Sequence, residues 1–431
     1  MNAAKLHGAL AATVSAKSMG VVGALPIIVK TRPGPVARGE MAILATVDAC
    51  QQYGLVNARA VMATPEVIAQ LTQDPTVDMI WPDLPVHAWL DDAVPLVHAP
   101  RVWESGFTGQ GVRVAVLDTG IDPAHPDFSG RIAAYRDFVD PAASGPARDP
   151  NGHGTHVAGI IAGSGGASDG RWRGVAPDAD LVIARVLDAT GNGQTSIVMA
   201  GLEWAVQQGA QIINISLGGP PFPSDGTDAL STLCNAAVDH GVVVCVAAGN
   251  TGPNGHTIGA PSAAEKAITV GATDGDPSSS VDRVAFFSSR GPTADGRAKP
   301  DVCFPGVGIV APRAAGTDLG EAVNARYASL SGTSQATPMA AGAAALLLQS
   351  NPRLTPADIK LRLTRGAHGL PGFDALAQGT GRGDAYTAFT GSQGAPLTEP
   401  PPDAAEPAPA PVPVPQPAGC LAALATVFFV H

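Results

Sequence analysis

Between residues 94 and 390 the same pattern recurs: VRVAVLD, DLVIARVL, QIINISL, GVVVCVAAG and AITVGAT are short β-branched runs bounded by glycine and separated by helical stretches such as SIVMAGLEWAVQQG. A strand that is apolar at nearly every position has both faces buried, and parallel neighbours need a crossover long enough for a helix. The pattern therefore predicts an α/β fold, doubly wound, with a mainly parallel central sheet and helices on both faces. The 431 residues are 45% apolar and 15% charged, enough to bury a core of that size.

The flanking segments read differently. Residues 1–25 carry no assignable pattern. Residues 26–93 read as a small α+β domain: a strand at Pro26 to Lys30, a helix around residues 40–53, a short helix opened by Thr64-Pro65-Glu66, and a strand in TVDMIWPDLPVHAW. WLDDAVP reads as an exposed link into the large domain, residues 94–390. Residues 391–418 hold ten prolines and form an extended linker. The apolar tail 419–431 is too short to span a bilayer, and loose docking or contact with a membrane surface are its two readings.

A net charge of −11 gives no basic surface for phosphate backbones and excludes nucleic acid as a partner. The five cysteines, Cys50, Cys234, Cys245, Cys303 and Cys420, make no C-x-x-C pair and suggest buried free thiols rather than a zinc knuckle or a disulfide framework. His7 and Lys17 interrupt the first apolar stretch, which makes a poor secretion signal. The expectation is a cytoplasmic location, with export by a non-standard route as the alternative.

In open α/β sheets the chemistry collects at the carboxyl ends of the strands. VRVAVLDTG ends its strand at Asp118. A dinucleotide site is excluded because Gly109 and Gly111 precede that strand and no G-x-G-x-x-G follows it. DPNGHGTHVAGIIAG carries His153 and His156 three apart, without the glutamate of H-E-x-x-H or a third zinc ligand. Glycines on both sides of His153 clear room for something to approach the ring. SGTSQATPMAAGAAALLLQ sets Ser334 before an apolar helix, where unpaired N–H groups welcome developing negative charge. A lone serine there is most often a cap. Asp118, His153 and Ser334 together supply the orienter, base and nucleophile of acyl transfer.

These stretches, with RGVAPDADLVIARVLDATGNG, INISLGGP, VAAGN and FFSSRGPTADGRAKPDV, resemble the subtilisin-like serine peptidases, the subtilases, over roughly residues 94–390, and in particular their intracellular or leaderless bacterial branch. The resemblance implies a serine endopeptidase, acting as a monomer on protein or peptide substrates and needing no cofactor for catalysis. It makes Asp118, His153 and Ser334 the triad and Asn250 the side-chain oxyanion donor. Gly191, Asn192 and Gly193 resemble one edge that pairs with an extended substrate, and Ser216, Leu217 and Gly218 the opposing one. Ala247, Ala248 and Gly249 wall the P1 pocket with Gly259 near its floor, so a large apolar P1 residue is expected.

Residues 26–93 resemble the subtilase propeptide, which implies a self-processing zymogen inhibited by its own prosegment and cut between about Pro85 and Val94. His125-Pro126-Asp127 resembles a segment that helps bind structural calcium in many relatives, but the partner loop SGGASDGRWRG offers only Asp169 as an acid. Metal ligands are thus left unassigned. The alternative function is a catalytically silent protein that binds peptides in the same cleft.

Overall fold

The computed structural model describes residue 5 and residues 25–32, 49–53, 58–82, 90–142, 145–219, 222–274 and 282–397. They fall into two compact units, one up to Val86 and one from His87. Residues 1–4, 6–24, most of the expected helix at 40–53, the link at 83–89, and nearly all of the Pro-rich segment and tail lie outside the described residues.

In the first unit, strands β1 (Leu25–Thr31), β2 (Ala49–Tyr53), β3 (Ala58–Ala63) and β4 (Val77–Pro82) form an antiparallel sheet in the order β2-β3-β1-β4. The end of the segment expected to be helical, Ala49–Tyr53, is thus a strand, because pairing with β3 overrides local propensity. Helix α1 (Pro65–Leu71) begins as its sequence predicts: the Thr64 hydroxyl accepts from the Val67 N–H, proline fills the first turn and Glu66 follows. Ile68 and Leu71 of α1 pack on Ile27, Val29, Val61 and Ile80.

In the second unit the chain is helical from Leu90 to Leu96, with Ala93 and Val94 buried. WLDDAVP is therefore helix from Leu90, with Ala93 and Val94 buried and Pro95 exposed. Seven parallel strands follow: β5 (Arg113–Asp118), β6 (Ile132–Asp137), β7 (Asp180–Arg185), β8 (Ile212–Ile215), β9 (Val243–Ala247), β10 (Ile268–Thr273) and β11 (Val302–Pro305). Their order is β11-β10-β9-β8-β5-β7-β6. The chain fills one side of β5 and then crosses to the other, so β5 ends where the winding reverses and a crevice opens.

Alternation along β5 shows why both faces are covered. Val114 and Val116 enter one core with helix α2 (His153–Ala162), whereas Ala115 and Leu117 enter a second with helices α3 (Thr195–Gln207) and α4 (Ala229–Asp239). This is the expected doubly wound α/β arrangement. Helix α5 (Thr333–Ser350) runs through the first core, with Thr333 and residues 335–348 buried. Its small residues let strands and helices approach from all round. An antiparallel sheet of β12 (Ile309–Pro312), β13 (Glu321–Ala322) and β14 (Tyr327–Leu330) packs beside α2. Helices α6 (Pro356–Arg365) and α7 (Ala385–Thr390) complete the unit.

A three-residue cluster ties its two ends together. Asp384, buried at the start of α7, accepts through one oxygen from His98 Nδ1 at 2.6 Å and from His368 Nε2 at 3.0 Å. His368 Nδ1 lies 2.8 Å from the Ala395 carbonyl. Both acceptors lack protons, so both contacts are hydrogen bonds at once only while the His368 ring is protonated. The hydrogen bond to Asp384 raises the His368 pKa above the ordinary value. Burial resists charge on Asp384, and the two imidazoles overcome it, holding this carboxyl well below the usual range.

A raised histidine pKa stabilises fully below the unfolded value of about 6.5 and is lost as pH climbs through the folded value; the lowered Asp384 acts fully above about 3.9 and is lost as pH falls. The thermal stability of the whole chain is thus expected to decline as pH rises above about 6.5, and His368→Ala to flatten that decline. Parallel curves for the two proteins would contradict this.

Candidate active site

Asp118 ends β5 with no exposed surface. Its Oδ1 accepts from the Thr119 N–H at 2.7 Å and from His153 Nδ1 at 2.8 Å. His153 is the first residue of α2, its ring one-fifth exposed. Burial opposes a charge on that ring, and the adjoining Asp118 carboxylate overcomes it, raising the His153 pKa above the ordinary histidine value.

The two motifs that carry this pair interlock. Thr119 Oγ1 accepts from the Gly154 N–H at 2.9 Å and donates to Asp149 Oδ1 at 2.8 Å. Asp149 also accepts from the N–H groups of Asn151, Gly152 and Thr155 and from the Thr155 hydroxyl, so with Thr119 and Asn151 it satisfies the orphan donors where α2 begins. A Cβ at position 154 would lie 2.2 Å from the Gly120 carbonyl oxygen, so only glycine permits this approach. Sequence reasoning did not single out Asp149; an acid four residues before His153 was the available signal.

His156 serves a different purpose. Burial, and then the neighbouring His153, push its pKa down to about 3. Its neutral ring donates from Nε2 to the carbonyls of Ile309 and Ala328, joining α2 to β12 and β14. Both histidines are thus engaged by other groups than a shared metal.

Ser334 lies in the first turn of α5, and its neighbours account for the local geometry. Pro338 supplies no N–H to the Ser334 carbonyl one turn back. The Ser216 hydroxyl donates to that carbonyl instead at 3.0 Å. Ser334 Oγ in turn donates to the Ser216 carbonyl at 3.0 Å. Among the described residues no hydrogen bond joins Ser334 Oγ to the His153 ring.

Asn250 is oriented by Thr333, whose N–H and hydroxyl both reach Asn250 Oδ1 at 2.9 Å. A backbone N–H only donates, so the amide atom facing it is oxygen and Nδ2 is turned away. A Cβ at Gly332 would lie 2.8 Å from Gln335 Oε1, 3.4 Å from Asn250 Nδ2 and 3.6 Å from the Ser334 nitrogen, so Asn250 Nδ2 and the Ser334 N–H both lie close to a position only glycine leaves open. The Gly249 N–H donates to Thr333 Oγ1 at 3.2 Å, fastening the same elements together. Thr333, another residue the sequence reading passed over, is thus a positioning residue.

A cavity of about 230 Å³ opens beside Ser334. Leu217, Gly218, Ala247, Ala248, Gly249 and Gly259 line it, as do Asn250, Thr333 and Ser334, and no charged side chain does. Ser216 lies behind it, bonded to Ser334. Gly191, Asn192 and Gly193 belong to a tight exposed turn: the Asp188 N–H donates to the Asn192 carbonyl at 2.8 Å, and Asp188 Oδ1 accepts from the N–H groups of Thr190 and Asn192. Asn151, two residues before His153, donates to Ala189 of the same turn at 3.1 Å. Cys245 is buried, and burial pushes its thiol pKa up to about 12, so it offers no reactive thiolate near the cavity.

Residues 109–394 match the sequence profile of the subtilase family. The chain belongs to that family. The serine protease AprX of Bacillus subtilis (strain 168) is 39% identical over 359 residues, 79% of this chain and 80% of that protein. Subtilisin E of the same organism is 39% identical over 318 residues, 73% of this chain and 76% of that protein. A cold-adapted subtilisin-like serine proteinase of solved structure is 34% identical, with a TM-score of 0.51, covering 64% of this chain and 88% of that one. This subtilase is accordingly a subtilisin-type serine endopeptidase, a hydrolase that acts on proteins and requires no cofactor for catalysis.

The segment resembling a calcium site does not fit that ion. Both oxygens of buried Asp127 accept from the Tyr327 hydroxyl at 3.0 Å, and Oδ1 accepts from the Ala167 N–H at 3.0 Å. Protein donors point at the carboxylate where a cation would need acceptors. Tyr327→Phe is expected to lower the unfolding free energy by about 1–3 kcal/mol, since a buried acceptor loses a partner. Denaturant unfolding should give the same loss with calcium or with chelator; recovery on adding calcium would contradict this.

Proposed function

We propose that Asp118, His153 and Ser334 act as one catalytic triad and that Asn250 Nδ2 and the Ser334 N–H form the oxyanion hole. The 2.8 Å contact between Asp118 and His153 is the observation that carries this reading. In the step that starts catalysis, Ser334 Oγ turns from the Ser216 carbonyl to His153 Nε2, gives up its proton there and bonds to the scissile carbonyl carbon. The carbonyl oxygen takes the developing charge and accepts from the two converging N–H groups. His153, held in one tautomer by Asp118, then delivers the proton to the leaving amine, and water hydrolyses the acyl-enzyme by the same path.

An extended peptide would pair with Gly191-Asn192-Gly193 on one side and Ser216-Leu217-Gly218 on the other, leaving the P1 side chain over the cavity. The uncharged small walls support a preference for large apolar P1 residues. The first unit, an antiparallel sheet with a packed helix, supports the role of a prosegment that inhibits the enzyme until it is cut off. Burial of Ala93 and Val94 favours a cut before Leu90.

The test is incubation of the full chain beside Ser334→Ala, followed by intact mass spectrometry and hydrolysis of succinyl-Ala-Ala-Pro-X anilides. The unsubstituted chain should lose a fragment ending before Leu90 and favour Phe or Leu over Arg or Glu at X. Ser334→Ala should stay whole and inert, and Asp118→Asn should lose about 10⁴ in kcat. A whole but active unsubstituted chain contradicts the zymogen, and an active Ser334→Ala contradicts the triad.

A further inference from the structure

Three large apolar side chains of the second unit stand in solvent among the described residues: Phe222 is 72% exposed, Phe286 75% and Leu361 47%. Phe222 is distinguished by where its loop is fastened. The Gly219 N–H donates to the Ala260 carbonyl at 2.8 Å, and the Ser224 N–H donates to the Ile258 carbonyl at 3.0 Å. Gly219, Gly259 and Ala260 all line the cavity beside Ser334. Both ends of the loop are therefore pinned to the cavity's own wall, and Phe222 lies between the pins. Three residues of chain reach at most about 11 Å, so its backbone cannot leave the neighbourhood of the rim.

Local chemistry restricts the backbone there. Pro221 and Pro223 flank it in the sequence. A residue before proline is confined to extended backbone, which lowers the entropy lost when Phe222 meets a partner. The cavity walls are mostly small and carry no charge, Leu217 being their largest apolar side chain. An aromatic ring supplies a large apolar area at low rotamer cost.

We propose that Phe222 is a specificity-determining residue, packing over the outer edge of a large apolar P1 side chain and adding an aromatic rim to the pocket. The proposal rests on the reading of this cavity as the P1 pocket. Small P1 residues present little side chain for the ring to cover. Phe222 thus enlarges the difference between large and small P1 residues without taking part in acyl transfer.

The experiment compares the processed enzyme with Phe222→Ala, Phe222→Leu and Phe286→Ala on succinyl-Ala-Ala-Pro-X anilides with X as Phe, Leu or Ala. In Phe222→Ala, kcat/KM for X as Phe should fall about three- to tenfold relative to X as Ala, mainly through KM. Phe222→Leu should fall between, and Phe286→Ala, equally exposed but outside this loop, should keep the wild-type ratio. Unchanged melting temperatures show that the variants are folded. An unchanged ratio in Phe222→Ala, or an equal loss on all three substrates, overturns the proposal while leaving the peptidase reading intact. An unsubstituted enzyme inert on the whole panel overturns both.

Discussion

Asp118 carries a carboxylate into the interior at the end of β5, and a buried charge is tolerated only where donors meet it. The Thr119 N–H and the His153 ring meet this one, both at Oδ1, while Oδ2 has no hydrogen-bond partner among the described residues. Thr119 fixes its own peptide by bonding across to Gly154 and Asp149, while Asp149 gathers the free N–H groups at the start of α2. The orientation of the base therefore follows from the bond it makes to one buried carboxylate oxygen. The parallel sheet contributes by ending β5 where the winding reverses, which leaves space above the pair.

The nucleophile is set by the complementary problem of starting an apolar helix in the core. α5 needs its early carbonyls and N–H groups satisfied where little water reaches, and Pro338 leaves the Ser334 carbonyl without its partner in the helix. The Ser216 hydroxyl takes that place. Thr333 spends its N–H and hydroxyl on Asn250 Oδ1 and so turns the amide donors outward. Contacts that settle the entry of a helix thereby place an amide donor and a backbone N–H close to a hydroxyl.

Much of this was legible in the sequence because the relevant signals are local. β-branched runs marked the buried strands, Thr64-Pro65-Glu66 marked the start of α1, and the residues around Asp118, His153 and Ser334 marked a strand's carboxyl end and two helix starts. What was not legible depends on distant partners. Ala49–Tyr53 is a strand through pairing with β3, and Ser216 matters through a residue 118 positions away. Tyr327 occupies Asp127 from 200 positions away, a contact no local pattern announces. WLDDAVP reads as polar and exposed, yet Ala93 and Val94 find a core to enter.

The most direct test of the central claim, that Asp118 and His153 activate Ser334, is covalent trapping of the active protein with phenylmethylsulfonyl fluoride across a pH series, with the adduct located by peptide mapping. The account predicts a single sulfonyl group on Ser334, formed faster as pH rises through a midpoint above about 6.5 and hardly at all in His153→Ala. An adduct on another residue, or modification of Ser334 at the same rate in His153→Ala, would contradict it.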